Sequence, residues 1–466
     1  MAHTRVISPE EWAVQEQYIE RVRTHYAERG NDRPMALIRT FGCQQNVSDS
    51  EHLRGMLAQM GFGFTEQPEE ADVILFNTCA VREHAEDRVF GNVGALKALK
   101  RRKPSLLIGL CGCMVQQPHI ADKLYQSYPF VGLIFGTHVM YRFPELLLSA
   151  LERRRTVAIP QEDGNLSEEI PTCRTDGVRA WLPIMYGCNN FCTYCVVPYV
   201  RGRERSRDPE AVLREARGLV AAGYKEITLL GQNVNSYGRG EAHGVDFPEL
   251  LRRINAIEGD FLIRFMTSHP RDATPRLFDT IAQCEKVSRH FHLPFQSGSD
   301  RVLKAMNRHY TRQQYLDLIA YARRAVPDIA FTSDVIVGFP GETREDFEQT
   351  LSLIDEVRFV SLYTFIFSPR VGTPAASLPD PVPAEEKSRW FAELTARQEE
   401  IAAQRSASLL GTRHRALIGQ EADGYWEARL PSNEVVRVEG PAEPGQTVTV
   451  EITETRSWIL IGRIVE

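Results

Sequence analysis

Three cysteines lie close together in the stretch YGCNNFCTYC: Cys188, Cys192 after three residues, and Cys195 after two more. A structural zinc site normally uses four protein ligands, commonly drawn from two Cys-x-x-Cys pairs. Three thiolates without a fourth leave one position open, and an iron–sulfur cluster held in this way keeps one iron free to bind something else. The spacing therefore favours a three-cysteine cluster over a zinc knuckle or a redox Cys-x-x-Cys pair.

Three further cysteines each end a short apolar run: MALIRTFGC ends on Cys43, ADVILFNTC on Cys79 and SLLIGLCGC on Cys113. Each run is short enough to be a buried strand, and a segment with helical patterning follows it. Alternating strands and helices predict a parallel sheet, in which the carboxyl ends of the strands form one edge. We therefore expect the three cysteines to share one metal site. The alternative is three independent buried thiols, since cysteine is common in protein cores.

The bulk composition limits the classes of protein to consider. The chain has 466 residues, 43% of them hydrophobic and 25% charged, with nine cysteines and a net charge of −6. It shows neither the basic and apolar segments of a signal peptide nor an apolar stretch long enough to span a bilayer. We therefore expect a cytoplasmic protein without membrane contact, in which cysteines serve as metal ligands or redox groups and not as disulfides. The negative charge excludes a uniformly basic surface but not a local nucleic-acid site.

Apolar periodicity and turn residues predict five segments. Ser8, Pro9 and Glu11 resemble a helix start, so residues 1–33 are predicted to form an N-terminal extension helix. Residues 34–150 form the predicted α/β parallel-sheet domain, with FVGLIFGT as its fourth strand. Six strand-plus-helix repeats in residues 174–383 predict a partial or complete β/α barrel with function at the carboxyl ends of its strands. Residues 384–410 form a predicted connecting helix, and 411–466 a small antiparallel β-barrel.

From Met35 to its end, the chain resembles the methylthiotransferase family of radical S-adenosylmethionine (SAM) enzymes. The resemblance rests on GCNNFCTYCVVPYVRGRERSR, LLGQNVNSYG, RFMTSHP, HLPFQSGSDRVLKAMNR, DVIVGFPGETREDFEQT and FIFSPRVGTPAA. It implies a radical SAM core with a [4Fe–4S] cluster on Cys188, Cys192 and Cys195. It also implies an auxiliary [4Fe–4S] cluster on Cys43, Cys79 and Cys113, and a C-terminal barrel like the RNA-binding TRAM module.

The resemblance further implies an enzyme that converts N6-dimethylallyladenosine next to the tRNA anticodon to its 2-methylthio derivative. One SAM molecule would yield a 5′-deoxyadenosyl radical that removes hydrogen from C2 of the adenine, and a second would methylate a sulfur carried by the auxiliary cluster. The implied partners are tRNA, an electron donor such as a flavodoxin or ferredoxin, and sulfur-supplying or cluster-assembly proteins; we expect a monomer. The same chemistry on threonylcarbamoyl-adenosine in tRNA or on a ribosomal-protein aspartate stays open, as does a non-catalytic metal-binding RNA-binding protein.

Several residues outside the cysteine sets are candidates for binding the cofactor. The resemblance implies contacts with the SAM amino group after the second barrel strand, with its ribose after the fourth and with its adenine after the fifth. An arginine run after Cys195 could bind the SAM carboxylate or tRNA phosphates, or form local ion pairs on a solvated surface. The candidates are Gly231, Gln232, Gln296, Ser297, Gly338, Gly341, Arg201 and Arg203.

Two features depart from the family pattern. The CGC stretch offers Cys111 beside Cys113, and we choose Cys113 because it aligns with the family ligand. The C-terminal barrel carries six Lys or Arg against nine Asp or Glu, which is not the charge expected of an RNA-binding module, so its RNA role rests on the resemblance alone. The stretch LKALKRRK has five basic residues between positions 97 and 103. It is equally compatible with a solvated helix end and with phosphate binding.

Overall fold

The computed structural model describes residues 5–80, 83–152, 155–160, 164–168, 170–456 and 459–465. The helices are α1 (Pro9–Ala27), α2 (Gln44–Gln59), α3 (Glu83–Arg102), α4 (Pro118–Ser127), α5 (Phe143–Glu152), α6 (Val197–Arg201), α7 (Pro209–Ala221), α8 (Phe247–Asn255), α9 (Pro275–Gln283), α10 (Asp300–Ala305), α11 (Arg312–Ala325), α12 (Arg344–Val357) and α13 (Ala384–Ser408). Within these ranges, no helix combines the length and the apolar character needed to cross a membrane.

The strands are β1 (Met35–Thr40), β2 (Gly63–Phe64), β3 (Val73–Thr78), β4 (Leu107–Gly112), β5 (Leu133–Phe135), β6 (Thr156–Ala158), β7 (Arg179–Pro183), β8 (Met185–Tyr186), β9 (Arg205–Ser206), β10 (Glu226–Leu230), β11 (Leu262–Phe265), β12 (His290–His292), β13 (Ala330–Val337), β14 (Ser361–Ile366), β15 (Arg413–Ala422), β16 (Tyr425–Arg429), β17 (Val435–Glu439), β18 (Thr447–Arg456) and β19 (Ile459–Ile464).

The chain divides into two compact units. The N-terminal unit comprises the described residues up to Thr175, together with Met185–Asn189 and Cys195–Arg207. The C-terminal unit comprises Asp176–Ile184, Asn190–Tyr194 and the described residues from Asp208 onward. The division into five segments at the residue numbers given above is finer than these two units and stays a prediction.

The N-terminal unit is built on a parallel sheet of six strands in the order β2-β1-β3-β4-β5-β6. The predicted parallel sheet is confirmed, but it has two more strands than the four expected. Both additions, β2 and β6, lie at the edges of the sheet and have only two and three residues, too few to show an apolar pattern. β6 also lies beyond residue 150, where the sequence pattern placed the end of this region.

Helices cover both faces of this sheet, since all-parallel strands are buried on both sides. One face packs against α1, α2 and α5, and the other against α3 and α4. The predicted helix start is confirmed: the Ser8 side chain accepts from the Glu11 backbone N–H at 3.3 Å, and the Glu11 carboxylate accepts from the Ser8 N–H at 3.0 Å. Trp12 and Val22 of this helix are buried in the core.

The C-terminal unit contains the six strands predicted for the β/α barrel, as two parallel three-stranded sheets, β7-β10-β11 and β12-β13-β14. Backbone hydrogen bonds join the sheets: Ile263 N–H donates to the Lys286 carbonyl at 2.7 Å, and Ser288 N–H donates to the Ile263 carbonyl at 2.8 Å. The six strands therefore follow one another in chain order, as in a partial β/α barrel. Parallel pairing directs their carboxyl ends to one edge, where such folds bind ligands.

The same unit ends in a closed five-stranded barrel, β15-β16-β17-β19-β18. The sequence predicted an antiparallel barrel, and four of the pairings are antiparallel, but β17 and β19 are parallel. An odd number of strands cannot alternate in direction around a closed ring, so one parallel pair is unavoidable. Ser457, Trp458 and Glu466, which belong to the segment predicted to form this barrel, lie outside the described residues.

Candidate functional site

The three cysteines at the ends of the N-terminal apolar runs follow three neighbouring strands. Cys79 directly follows β3, Cys113 directly follows β4, and Cys43 follows β1 and precedes the first residue of α2. The Cys43 and Cys79 side chains are hydrogen-bonded, and Cys113 interacts electrostatically with Cys43. The structure therefore brings together the three thiols that the strand pattern placed at one edge.

Two glycines make this approach possible. Gly42 has φ +144°, and a Cβ there would lie 2.7 Å from the Cys79 Cβ. Gly112 has φ +96°, and a Cβ there would lie 2.4 Å from the Asn77 Oδ1. Because any side chain would collide with its neighbours at these positions, the turns that carry Cys43 and Cys113 require glycine beside the cysteine.

A buried polar network fixes the first turn of α2 against β3. The Cys43 thiol donates to Asn46 Oδ1 at 3.3 Å, and Asn46 Nδ2 donates to Asn77 Oδ1 at 3.1 Å. Asn77 Nδ2 in turn donates to the Asn46 carbonyl at 2.8 Å and to Ser50 Oγ at 3.0 Å. Every link is short and most atoms are buried, so the network holds the Cys43 turn in place.

The surroundings shift the pKa values of Cys43 and Cys113 in opposite directions. The hydrogen bond with Cys79, together with the nearby Arg201 charge, lowers the pKa of Cys43 to about 6. Burial raises the pKa of Cys113 to about 11, although Arg201 acts in the opposite direction. The Arg201 Nε–H donates to Cys113 Sγ at 3.0 Å, so this sulfur already serves as an acceptor.

Cys111 lies two residues before Cys113 but is placed differently. Its side chain lies within β4, fully buried in the core shared with α1, α2 and α5. Cys113 instead contacts Ala80, Val196 and Val200 at the end of the strand. Burial raises the pKa of both thiols, so it is the position of Cys113 at the strand end that separates the two.

A [4Fe–4S] cluster takes one thiolate on each ligated iron, so its cysteines surround the cluster and do not meet at one ion. Among the described residues, no group of three or more His, Cys, Asp or Glu side chains already surrounds a single-ion position. The set of Cys43, Cys79 and Cys113, with one acidified thiol and one sulfur that accepts from an arginine, fits a cluster held by three cysteines.

The second cysteine set is divided between the two units. In the N-terminal unit, β8 and β9 pair antiparallel on either side of the cysteine loop, and the buried Cys188 donates its N–H to the Gly202 carbonyl at 3.1 Å. Cys195, which precedes the N-cap residue of α6, is half-buried in the same unit. Cys192 belongs to the C-terminal unit, where it is buried.

Arg308, which the sequence analysis did not single out, contacts Cys192 in the C-terminal unit. Its Nη1 lies 3.4 Å from Cys192 Sγ, its Nη2 donates to the Pro294 carbonyl at 2.7 Å and its Nε donates to Tyr310 Oη at 3.2 Å. Although burial disfavours its charge, Tyr310 and Cys192 help to raise the pKa of Arg308 well above the ordinary value. Arg308 therefore places a buried guanidinium and its positive charge beside this sulfur.

Most of the predicted SAM-binding residues lie near the carboxyl ends of strands in the C-terminal unit. Gly231 and Gln232 directly follow β10, and Gln296 and Ser297 follow β12. Gln296 has φ +66°, a strained value for a residue with a side chain, and such strain concentrates at functional sites. Ser297 Oγ accepts from the Ser299 N–H at 3.2 Å, so its hydroxyl also stabilises the turn before α10.

The glycines after β13 enclose a buried carboxylate. Gly338 has φ +72°, and a Cβ there would lie 2.5 Å from Cδ of Lys387, whereas Gly341 at φ +79° has open space at its Cβ position. Glu342 accepts from the N–H groups of Gly338 at 2.6 Å and Phe339 at 3.2 Å. Burial raises the pKa of Glu342 to about 7.

Four buried polar side chains after β10 and β11 were missed by the sequence analysis, although they lie in the quoted motifs LLGQNVNSYG and RFMTSHP. The Val234 N–H donates to the Thr267 carbonyl at 3.0 Å and joins the two loops. Within the described part of the chain, hydrogen-bond partners are lacking for Asn233 Oδ1, both amide atoms of Asn235, Ser268 Oγ and His269 Nε2. We call these four residues the polar loop cluster.

The tautomer of His269 follows from its neighbours. Its Nδ1 accepts from the Arg271 N–H at 3.2 Å, so in the neutral ring Nε2 carries the proton. Burial, together with Arg308 and Arg271, strongly lowers the pKa of His269 and keeps the ring neutral. The polar loop cluster therefore offers neutral donors and acceptors to an uncharged polar group.

The arginines after Cys195 differ in their surroundings. Arg201 is buried against Asp49 and Cys113, and Arg207 is buried against Glu168 at 2.5 Å. Arg203 is exposed, which leaves it accessible to the anionic ligands proposed for this run. In the basic stretch at the end of α3, Lys100 donates to the Pro104 carbonyl at 2.7 Å and Lys103 forms an ion pair with Asp72 at 3.0 Å, contacts typical of a capped helix end.

Three family models match the chain: the radical SAM superfamily at residues 182–354, uncharacterized protein family UPF0004 at 35–136 and the TRAM domain at 407–465. The chain is 47% identical over 467 aligned residues to the tRNA-2-methylthio-N(6)-dimethylallyladenosine synthase of Acetivibrio thermocellus, covering 98% of this chain and 97% of the relative. It is 49% identical to the protein of the same name from Caldicellulosiruptor saccharolyticus, covering 98% of each.

Among solved structures, the chain is similar to the radical SAM methyltransferase TsrM from Kitasatospora setae, with a TM-score of 0.54 and 14% identity over 73% of this chain and 77% of that one. It is also similar to the cobalamin-dependent SAM radical enzyme OxsB, with a TM-score of 0.51 and 11% identity over 81% of this chain and 57% of that one. At these identities the likeness concerns the fold alone.

The similarity to these relatives extends over nearly the whole chain. It therefore includes the strand-end cysteines, the loops of the β/α barrel and the terminal five-stranded barrel. The chain belongs to the radical SAM methylthiotransferases, the family of the tRNA-2-methylthio-N(6)-dimethylallyladenosine synthases.

Proposed function

We propose that this enzyme adds a methylthio group to C2 of N6-dimethylallyladenosine next to the anticodon of tRNA. The observation that carries the proposal is the presence of two separate three-cysteine sets, Cys43, Cys79 and Cys113 at neighbouring strand ends and Cys188, Cys192 and Cys195 in the spaced motif. The relatives that match nearly the whole chain are named for this activity. Membership of the radical SAM family implies SAM and a [4Fe–4S] cluster, and our proposal adds a second cluster in the N-terminal unit.

When bound, SAM and the cluster held by Cys188, Cys192 and Cys195 supply a radical able to remove the C2 hydrogen, and the auxiliary cluster supplies the sulfur. The protein's own residues ligate, orient and shield these groups. Arg308 fixes positive charge at the Cys192 sulfur. Gly231, Gln232, Gln296, Ser297, Gly338 and Gly341 bind SAM in this proposal, from loops near the carboxyl ends of parallel strands.

The polar loop cluster binds an uncharged part of the bound cofactor or base. Its unpartnered atoms include the His269 Nε2–H donor and the Asn235 amide, and none of its four members carries a charge. A buried donor or acceptor without a partner costs free energy of about 1–3 kcal/mol. A ligand that supplies these hydrogen bonds would recover that cost, and this supports the assignment.

The partners of the proposed reaction follow from its chemistry. Reductive cleavage of SAM needs an electron donor such as a flavodoxin or ferredoxin, and each turnover consumes a sulfur atom that a sulfur-supplying or cluster-assembly protein must replace. The tRNA contacts include the exposed Arg203 and the terminal barrel in this proposal. A cytoplasmic location and a monomeric state stay predictions.

The test compares tRNA with and without the dimethylallyl group, and adds threonylcarbamoyl-adenosine tRNA and the ribosomal protein as alternative substrates. The protein is reconstituted anaerobically with iron and sulfide, supplied with SAM and a strong reductant, and 2-methylthio nucleosides and 5′-deoxyadenosine are quantified. We expect a methylthio product only from the dimethylallylated tRNA. Product from threonylcarbamoyl-adenosine tRNA or from a ribosomal protein, and none from dimethylallylated tRNA, would overturn the substrate assignment.

The same experiment distinguishes the proposed enzyme from a non-catalytic RNA-binding protein, since the latter would bind tRNA without forming 5′-deoxyadenosine.

The number of clusters is tested with the variant Cys188→Ala/Cys192→Ala/Cys195→Ala. Two proposed clusters require that this variant lose one cluster's iron, keep the other and form no 5′-deoxyadenosine. Retention of all the iron would contradict the ligand assignment.

A further inference from the structure

Arg201 and Asp49 form a buried ion pair beside the N-terminal cysteine set. The Arg201 Nη2 lies 2.5 Å from Asp49 Oδ2, and both side chains are almost fully buried, at 6% and 3% exposed. The Arg201 Nε–H meanwhile donates to Cys113 Sγ at 3.0 Å. One guanidinium therefore connects a carboxylate with the sulfur of a proposed cluster ligand.

Several contacts fix the guanidinium in this place. Arg201 is the last residue of α6, whose Val200 packs against Cys113 and Ala80. The Thr137 hydroxyl donates to the Val200 carbonyl at 2.5 Å, and Arg205 Nη2 donates to the Arg201 carbonyl at 3.1 Å. On the other side, Gln45 Nε2 donates to Asp49 Oδ1 at 3.3 Å.

Burial of this ion pair is unfavourable for stability, so we expect its charges to have a role at the cluster site. Removing an ion pair from water carries a desolvation cost for each ion, and well-packed apolar residues often replace such a pair without loss of stability. The potential of an iron–sulfur cluster depends on nearby charge and on hydrogen bonds to its sulfur ligands. Arg201 supplies both effects at Cys113, and Asp49 partly balances the charge.

We propose that the Arg201–Asp49 pair sets the reduction potential of the auxiliary cluster held by Cys43, Cys79 and Cys113, a role that rests on the proposed function. Reduction adds negative charge to the cluster, so the Arg201 cation stabilises the reduced form and the Asp49 carboxylate destabilises it. Arg201 thus acts as a positioning residue at this cluster and does not bind the SAM carboxylate or tRNA phosphate.

The test measures the potential of the auxiliary cluster alone, by redox titration followed by electron paramagnetic resonance. The parent is the full chain with Cys188→Ala, Cys192→Ala and Cys195→Ala. In this parent, Arg201→Gln should lower the potential and Asp49→Asn should raise it, each by at least a tenfold shift in the reduction equilibrium, or about 59 mV for one electron. The Arg201→Gln/Asp49→Asn double variant should return toward the parent value.

Arg21→Gln, on the exposed face of α1, is the matched control and should leave the potential unchanged. Shifts of the same sign in the two single variants, or shifts no larger than the control, would overturn the proposal, because structural damage has no reason to reverse sign. If Arg201→Gln takes up no cluster, Asp49→Asn decides: a positive shift supports the proposal and no shift overturns it. A parent that binds no cluster at all would instead contradict the proposed function.

Discussion

At the scale of single residues, Cys111 within β4 and Cys113 directly after it show how two nearby positions can separate a core thiol from a proposed cluster ligand. Cys111 lies fully buried in the sheet core, and Cys113 lies at the strand end, where Arg201 reaches its sulfur. A residue within a strand, such as Cys111, is held by backbone hydrogen bonds to the neighbouring strands, whereas Cys113 lies in the turn that follows. The distinction between the two thiols is therefore geometric and does not come from residue type.

This geometry predicts different outcomes for two substitutions. Cys111→Ala should keep both clusters and lower the free energy of unfolding by about 1 kcal/mol, because it removes only one buried sulfur. Cys113→Ala should lose the auxiliary cluster. Iron and sulfide content per chain, together with thermal unfolding, checks both variants. Loss of a cluster in Cys111→Ala with full retention in Cys113→Ala would show that Cys111 is the ligand.

His269 allows a second prediction at this scale. Its Nε2–H is buried and unpartnered within the described part of the chain, and His269→Ala removes this donor without touching a cluster cysteine. We expect at least a tenfold loss of kcat/KM, about 1.4 kcal/mol of transition-state stabilisation, with unchanged iron content. His119→Ala, at an exposed position, is the control. Unchanged kinetics in His269→Ala would show that water, and not a ligand, satisfies the histidine.

The cysteines can be identified from the sequence, but the side chains that contact them cannot. Cysteine spacing and strand ends were sufficient to propose six ligands, because each cysteine stands next to its own local signal. Arg201 and Arg308 contact cysteines 88 and 116 positions away in sequence, and no local pattern reports such pairings. The unpartnered atoms of the polar loop cluster become visible only when burial and every neighbour are known.

At the scale of elements, the turn between β13 and α12 contains a titratable switch in stability. The pKa of Glu342 rises to about 7 in the folded chain because its carboxyl group is buried, against 4.5 ordinarily. Folding therefore favours the protonated form, so this group's contribution to stability is full below pH 4.5 and is lost as the pH rises through about 7.

The variant Glu342→Gln should remove this dependence, since the amide mimics the protonated carboxyl and can still accept from Gly338 and Phe339. At pH 8 we expect it to be more stable than the parent by up to about 3 kcal/mol, with the difference shrinking toward pH 5. Thermal unfolding between pH 5 and 8 measures the effect, and the exposed Glu399→Gln serves as the control. A pH dependence identical to that of the parent would contradict the assignment.

A buried arginine of β11 connects the β/α barrel with the terminal barrel. Arg264 pairs with Glu226 at 2.6 Å and donates to the Leu430 carbonyl at 2.9 Å and the Pro431 carbonyl at 3.3 Å. Each contact lies within the C-terminal unit. The same side chain therefore neutralises a buried carboxylate and binds the loop between β16 and β17.

Replacing Arg264 with Met should lower the free energy of unfolding by about 3–5 kcal/mol, because Glu226 would be left buried without its partner. Faster hydrogen exchange in β16 and β17 should accompany the loss, and the exposed Arg324→Met should show neither effect. In Arg264→Met/Glu226→Met we expect stability to recover in part while fast exchange persists, since the carbonyl contacts stay absent. Normal exchange in both variants would show that other contacts hold the barrel.

At the scale of the whole molecule, the order of elements and the terminal barrel were predictable, but the two edge strands of the N-terminal sheet and the parallel pair of the barrel were not. Long apolar runs, such as the one that forms β3, can be recognised in the sequence, whereas β2 and β6 are too short to show a pattern. These two short strands form because the edges of the sheet offer backbone hydrogen-bond partners. The parallel pair of β17 and β19 follows from closing five strands, which composition does not reveal. Substrate choice depends on surfaces that form only after folding.

The separation of the two cysteine sets leads to a prediction for the whole reaction. If one set carries sulfur and the other produces the radical, replacing Cys43, Cys79 and Cys113 with Ala should abolish the methylthio product and preserve reductive cleavage of SAM. The measurement is 2-methylthio nucleoside and 5′-deoxyadenosine quantified in the same anaerobic reaction. Iron content and thermal unfolding are compared with those of the parent, because each cysteine borders a buried strand and damage to the fold must be distinguished from loss of the cluster.

The two products give distinct results. Continued formation of the methylthio nucleoside would rule out sulfur delivery from the Cys43, Cys79 and Cys113 set. Loss of both products with the iron of the remaining cluster intact would show that radical formation requires the auxiliary cluster, so that the two sets act as one catalytic unit. Loss of the methylthio product alone is the outcome we expect, because the ligands of the radical cluster, Arg308 and the loops proposed to bind SAM are all unchanged in this variant.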